Sequence, residues 1–251
     1  MFTDEVLKVH NYIDLFMPKN NIPIEVQKLI DKECLEEIPP VKLYEPQAVL
    51  VNKIDKEEVL NTLSFAGRAC WDKDWNKNPE KFIENIIKLG HESVIEHVTF
   101  NFAILCSRSC SHQLVRHRIG VSYSQQSQRY VSYGNAAAPV PIVISPDLSI
   151  DDQFFIVDGA IFCISHYRGG VTFSDIKPEV AREVLPESMG TILFVSFNPR
   201  SLRHFLEERM KKAAQGQIRS IANQIYDIMI ESGLDVLVKD FEDLKEYDPR
   251  I

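Results

Sequence analysis

The segment from residue 98 to 104 constrains the fold most strongly. Val98, Phe100, Phe102 and Ile104 alternate with Thr99, Asn101 and Ala103, the period of two that belongs to a half-buried strand rather than a helix. A second apolar run, Thr191 to Phe197, predicts a buried strand far downstream. Phe100, Phe102, Phe194 and Phe197 are thereby expected in the core. Between and around these strands the pattern is helical. Asp55 caps a helix through Cys70, and Asn78-Pro79-Glu80 begins one that Gly90 stops. Ser149-Ile150-Asp151-Asp152 is a capping box for a helix to about Tyr167, ended by Gly169-Gly170. Further helices are expected at 107–118, at 176–185, from Asn198-Pro199 onward, and at 216–231, with another strand at 47–53. Residues 119–127, with Gly120 and several serines, are expected to form a loop that re-enters a strand near Arg129. Strands and helices mix without strict alternation, so the class is α+β with a mixed sheet flanked by helices.

The 251 residues, 45% of them apolar, suffice for one large domain with a proper core. Glu36-Glu37-Ile38-Pro39-Pro40 is a punctuation that sets residues 1–40 apart as an N-terminal extension of unknown role, leaving 41–251 as the main domain. No apolar run reaches the roughly 20 residues needed to span a bilayer, and Asp4 and Glu5 are unlike the start of a signal peptide. A cytoplasmic protein without a membrane partner is expected. The formal charge of -8 argues against a binder of nucleic-acid polymers, which displaces counterions with a broad basic surface.

Within this acidic chain the cations are distributed unevenly. Residues 100–210 hold nine arginines (108, 116, 118, 129, 168, 182, 200, 203 and 209) and one lysine, Lys177. Guanidinium forks match phosphate oxygens pairwise, so the bias points to a bound phosphorylated small molecule. Arg116-His117-Arg118 and the stretch Ser122 to Arg129 concentrate this chemistry in fourteen residues. Other chemistries fit less well. His91-Glu92-Ser93-Val94-Ile95-Glu96-His97 lacks the histidine at 95 or 93 that a zinc hydrolase motif needs, and its histidines, six apart, lie about 240° apart on a helix. No metal site is expected; His97 is expected to be an interior or capping histidine. GxGxxG and GxxxxGK[ST] are both missing. The five cysteines include no CxxC pair, and Cys110, six residues before Arg116, is read as a small buried residue rather than a nucleophile.

Several separated blocks occur in a family-specific order: His91-Glu92-Ser93 to Glu96-His97, Arg116-His117-Arg118 with its serine-rich tail to Arg129, Glu179-Val180-Ala181-Arg182 to Leu185-Pro186, and Asn198-Pro199-Arg200-Ser201-Leu202. In this order, over about residues 41–230, the chain resembles the flavin-dependent thymidylate synthases. The resemblance implies a homotetramer with FAD and dUMP bound where subunits meet. It also implies 5,10-methylenetetrahydrofolate as carbon donor and NADPH as reductant, with no attacking cysteine. Ser93, Arg116, His117, Arg118, Asn198, Arg200 and His204 match flavin-contacting positions. Gln113, Leu114, Val115 and Arg116 match the dUMP site, as do Gln125, Gln126, Ser127, Gln128 and Arg129 of a neighbouring subunit, with Arg182 and Arg209. Arg129 and Arg182 would hold the phosphate, Ser127 and Gln128 would donate hydrogen bonds, and Arg209 would be catalytic by favouring ionisation of the uracil imide.

The chain departs from the family pattern twice. Eight residues, Ile119 to Gln126, separate Arg118 from Ser127 where seven are usual, and Ala213, Gln215, Gly216 and Gln217 stand where many members carry a histidine and a Gln-Trp-Glu run. The second departure sets an alternative beside the enzyme: a homologue that binds FAD or nucleotide and has lost methylene transfer. Arg108, Arg168 and Arg203 match no ligand position and are read as structural.

Overall fold

In the computed structural model, which describes residues 2–8, 11–34, 40–70, 74, 77–134 and 138–245, the alternating segment becomes a central strand. We number strands and helices in chain order. β3 (Phe100–Ser107) pairs antiparallel with β2 (Gln47–Leu50) on one side and with β6 (Gly190–Phe197) on the other. β4 (Val121–Gln125) adds to the far edge of β6. A separate parallel pair joins β1 (Val41–Tyr44) to β5 (Val140–Val143), with Val41 opposite Val140. Antiparallel and parallel pairings together with flanking helices give the α+β class expected.

β3 is covered on both faces. Phe100, Phe102, Ile104 and Cys106 enter the main core, while Ala103 and Leu105 enter a smaller cluster with Phe16, Tyr44 and Val143. Only Asn101 stays partly open, so the strand is more deeply buried than a half-buried alternation implies. Phe194 is not core: it lies on the other face of β6 from Leu193 and Val195 and is 38% exposed. Cys106 and Cys110 are buried, as expected for Cys110, and the hydrogen bond between them, reinforced by burial, pushes the Cys106 thiol well above its ordinary range.

The helix starts follow the predicted caps. Asp55 accepts from the Glu58 amide at the start of α2 (Lys56–Ala69), and Asn78 from the Lys81 amide at the start of α3 (Pro79–Lys88). The first forty residues supply α1 (Ile24–Lys32), whose Val26 and Ile30 are buried with Val157 and Ile161 of α5 (Ile150–Phe173). Residues 36–39, which mark the expected boundary, lie outside the described residues.

Three local expectations are corrected. α5 begins at the Ser149–Asp152 capping box but continues through Gly169 and Gly170 to Phe173. Neither glycine adopts positive φ, and a cost of about 1 kcal/mol each does not break a helix whose Val157, Ile161, Ile164 and Tyr167 are buried. The segment expected to be one helix at 176–185 divides into α6 (Pro178–Ala181) and a 3-10 turn, Arg182–Val184, because Leu185 precedes Pro186 and is extended. The expected loop at 119–127 contains β4, and the chain turns after it, with the Tyr130 and Val131 amides bonded to the Ser127 carbonyl. Here Val121, Tyr123 and Gln125 face inward and Ser122 and Ser124 outward, so the period of two prevails over the turn preference of serine.

The remaining helices frame the site: α4 (Arg108–Leu114), α7 (Pro199–Arg209) and α8 (Gly216–Glu231). Among the described residues, no helix is long and apolar enough to cross a membrane.

Candidate active site

α4 ends with Leu114 buried in the core, which brings the next residues out of the protein. Arg116 and Arg118 are exposed, with His117 half-buried between them. Tyr123 Oη donates to the carbonyls of both Leu114 and His117 at 2.8 Å, fixing the turn from the neighbouring strand. Burial raises the Tyr123 phenol far above its ordinary range, so it remains a donor. Gly120, at φ +68°, completes the turn against the start of α7. There Ser201 Oγ donates to the Ile119 carbonyl at 2.6 Å, and Asn198 caps α7 through the Ser201 amide at 2.9 Å.

α7 then delivers its functional side chains to the same place. His117 packs edge-on against the rings of His204 (5.7 Å) and Phe205 (5.2 Å). Arg209 Nε donates to His117 Nε2 at 2.9 Å. Burial, reinforced by the charges of Arg209 and His204, lowers the His117 pKa to about 4. The imidazole is therefore neutral near pH 7, accepting at Nε2 and carrying its proton on Nδ1. Arg200 pairs with Glu96 at 2.6 Å, beside Ser93 on the 3-10 turn Glu92–His97. His97, at the end of that turn, is exposed rather than interior. Ser93, Arg116, His117, Arg118, Asn198, Arg200, His204 and Arg209 thus lie on the three segments that meet around α7. Among the described residues, the guanidiniums of Arg116 and Arg118 meet no carboxylate. A cationic, partly aromatic surface of this kind fits a ligand that carries both anionic and ring portions.

A second group gathers at the other end of α4. A cavity of about 280 Å³ is lined by Arg108, His112, Gln128, Arg182, Leu185 and Pro186, with Glu183 and Glu187 at its exposed edge. Gln128 is held by a contact from Nε2 to Met189 Sδ, and Arg182 by a bond from Nε to the Glu179 carbonyl. Arg129 is exposed and pairs with Glu179 at 3.7 Å. Ser127 Oγ accepts from the Arg129 amide. The other expected substrate residues are committed within the chain: Gln125 donates to Ser111 and Thr191, Gln126 accepts from Tyr133, and Gln113 donates to Gln215. The Leu114 side chain is in the core, and Val115 is half-buried.

Arg203 and Arg168 are structural, as expected. Arg203 bonds Glu92, both oxygens of Asp240 and the Leu237 carbonyl, and Arg168 bonds the Tyr133 and Ala138 carbonyls. Arg108 differs, because it opens into the cavity. Its partner across one helical turn, His112, was also missed, although the i,i+4 spacing on a predicted helix put both on one face.

The family described as Thymidylate synthase complementing protein matches residues 50–232. A flavin-dependent thymidylate synthase from Pyrococcus furiosus is 34% identical over 182 residues, covering 68% of this chain and 74% of the relative. One from Geobacter sulfurreducens is 41% identical over 142 residues, covering 56% and 60%. Among solved structures, thymidylate synthase X from Helicobacter pylori with FAD and dUMP aligns at TM-score 0.63 and 23% identity, over 80% of this chain and 100% of that one. A UMP/dUMP methylase from Streptomyces cacaoi, bound with 5-Br dUMP, aligns at 0.66 and 22% identity, over 82% and 99%. These two share the fold.

Proposed function

The chain belongs to the flavin-dependent thymidylate synthase family, and from that premise we propose that it converts dUMP to dTMP, with 5,10-methylenetetrahydrofolate as carbon donor and NADPH as reductant through bound FAD. The observation that carries this reading is the convergence of Arg209, His117 and His204 at one point from two separated sequence blocks. Arg116, Arg118, Arg200, Asn198, Ser93 and His204 would hold FAD, which supplies the redox chemistry when bound. Arg209 would place a fixed cation beside the uracil imide, where developing negative charge is stabilised by a preoriented donor. Neutral His117 would keep Arg209 aimed while adding no second charge. Arg182, Arg129, Ser127 and Gln128 would take the phosphate.

The working unit in this reading is a homotetramer in which residues 125–129 reach a neighbour's nucleotide. Its support is the outer face of α5, where Phe155, Phe162 and Phe173 are 80%, 74% and 87% exposed on a helix that is apolar nearly all round. The substrate is a free cytoplasmic nucleotide rather than a nucleic-acid polymer or a membrane-bound molecule.

The test is dTMP formation by the purified protein with dUMP, folate and NADPH supplied, alongside its flavin absorbance. Arg209→Ala should lose turnover by roughly 10²–10³-fold and keep the absorbance. Bound flavin and NADPH oxidation without dTMP would instead favour the homologue that has lost methylene transfer.

A further inference from the structure

The segment between β4 and β5 carries Ser127, Gln128 and Arg129, yet none of the described residues from 126 to 139 belongs to a helix or a strand. At its start the Gln126 amide bonds the Ile192 carbonyl of β6 at 2.9 Å, and the Tyr130 and Val131 amides then turn back to the Ser127 carbonyl. Fixing the backbone costs about 1–2 kcal/mol per residue in lost entropy. A stretch without a strand or helix ladder therefore keeps one shape only where side chains anchor it.

The anchors come from two consecutive residues of α5. Tyr167 is buried, and its Oη accepts from the Tyr133 amide at 3.4 Å and lies 3.4 Å from Ser132 Oγ. Arg168 joins two points of the segment: Nε donates to the Tyr133 carbonyl at 3.2 Å and Nη2 to the Ala138 carbonyl at 2.7 Å. Tyr133 is thus held at both its amide and its carbonyl. Its own Oη donates to Gln126 Oε1 at 3.4 Å, which carries the restraint back to the residue before Ser127. The bonds from Arg168 are charge-assisted and include the shortest of the set, so Arg168 supplies most of the hold.

We propose that Arg168 is a positioning residue for the substrate segment: it touches no ligand, but by clamping Tyr133 and Ala138 it sets the place of Ser127, Gln128 and Arg129 before a nucleotide arrives. The proposal rests on the reading that those three residues meet the nucleotide. Arg168 itself lies outside the sequence blocks that carry the family resemblance.

The experiment compares wild type, Arg168→Met, Arg168→Lys and Tyr167→Phe as full chains, by amide hydrogen exchange and by the kinetics of dTMP formation. Exchange at the Tyr130 and Val131 amides should be about 10-fold faster in Arg168→Met, the effect of losing one charge-assisted bond, while exchange along β3 should not change. The KM for dUMP should rise by about the same factor, and kcat at saturating dUMP and flavin content should hold, because the nucleotide then has to select the ordered segment from a smaller population. Arg168→Lys, which can reach one carbonyl at a time, and Tyr167→Phe should show smaller changes in the same direction. Equal exchange at Tyr130 and Val131 in wild type and Arg168→Met overturns the proposal. So does an acceleration just as large along β3, which would mark a general loss of stability, and so does faster exchange in the segment with an unaltered KM. If wild type makes no dTMP, the functional reading fails, and the exchange comparison alone then decides whether Arg168 holds the segment. Should Arg168→Met not fold, Tyr167→Phe, which keeps the ring, is judged by the same criteria.

Discussion

Arg209 Nε donates to His117 Nε2 across 2.9 Å, joining the last residue of α7 to the middle of the Arg116–Arg118 triplet. The bond needs a lone pair on His117, so it exists only while the imidazole is neutral. In the unfolded chain the ring has an ordinary pKa near ~6.5, and in the folded protein it lies near 4. The folded pKa is the lower one. The unfolded state therefore binds more protons as pH falls, and the stability contribution is full above about 6.5 and lost toward about 4. Between pH 7 and 4.5, wild type should lose about 1 kcal/mol more stability than His117→Gln, after discounting for solvent at a partly exposed ring. Chemical denaturation of both proteins at the two pH values measures this. Parallel losses would mean that the neutral ring is not what the fold protects.

Gly120→Ala tests the junction between the triplet and α7. The residue sits at φ +68°, where a side chain is strained, and its new Cβ would fall against Ser201 Oγ and within 2.6 Å of Asn198 Nδ2. Those two side chains bond the Ile119 carbonyl and cap the helix. The substitution should cost about 2 kcal/mol through strain and a disturbed cap. Flavin retention on gel filtration should fall with it. An unchanged melting temperature would show that the loop adjusts freely.

The helix caps at Asp55, Asn78, Ser149 and Asn198 were legible in the sequence because each is a bond between a side chain and a backbone amide three residues on. The continuation of α5 through Gly169 and Gly170 was not, because tertiary burial of Ile164 and Tyr167 decides it. The same division holds at the site. Arg116, His117 and Arg118 are contiguous and stand out as a cluster. Arg108 becomes a site residue only when the turn bearing Arg182 folds against α4, a meeting that no local pattern encodes. Phe194 was misplaced for a related reason: a run of apolar letters does not reveal which face of an inner strand remains uncovered.

Arg203 ties α7 to the 3-10 turn of Ser93 and to the C-terminal segment, through Glu92 at 2.8 Å and Asp240 at 2.6 Å. Its guanidinium is nearly sealed from water, and it also holds the Leu237 carbonyl at 2.8 Å. Arg203→Met should cost about 3 kcal/mol, at the low end for breaking a buried pair because Asp240 and Glu92 keep access to solvent. Asp240→Asn should cost less than half as much, since Glu92 and Leu237 remain. Denaturant unfolding of the two variants checks the ranking, and a larger loss for Asp240→Asn would contradict it.

Gln217 explains part of the altered 213–217 segment by structure alone. Its side chain is buried at the start of α8, where Oε1 accepts from the Ser107 amide at 3.1 Å and Nε2 donates to the Val143 carbonyl at 3.2 Å. One amide thus satisfies backbone groups at the end of β3 and the end of β5, two strands that belong to different sheets. It also steadies Ser107, whose hydroxyl caps α4 through the Cys110 amide and so fixes the helix that carries Arg108 and the triplet. Gln217→Leu keeps the volume approximately but strands a buried donor and a buried acceptor, at a cost of about 2–4 kcal/mol. Gln217→Glu retains the acceptor for Ser107 and, while its carboxyl is protonated, a donor for the Val143 carbonyl; ionisation removes that donor and buries a charge, so the variant should lose stability as pH rises through the carboxyl pKa, whereas Gln217→Leu should not. Urea unfolding at pH 5 and 8 separates the two variants. A loss below about 0.5 kcal/mol for Gln217→Leu, within the range of an unremarkable surface change, would mean that the amide contributes little to joining the two sheets.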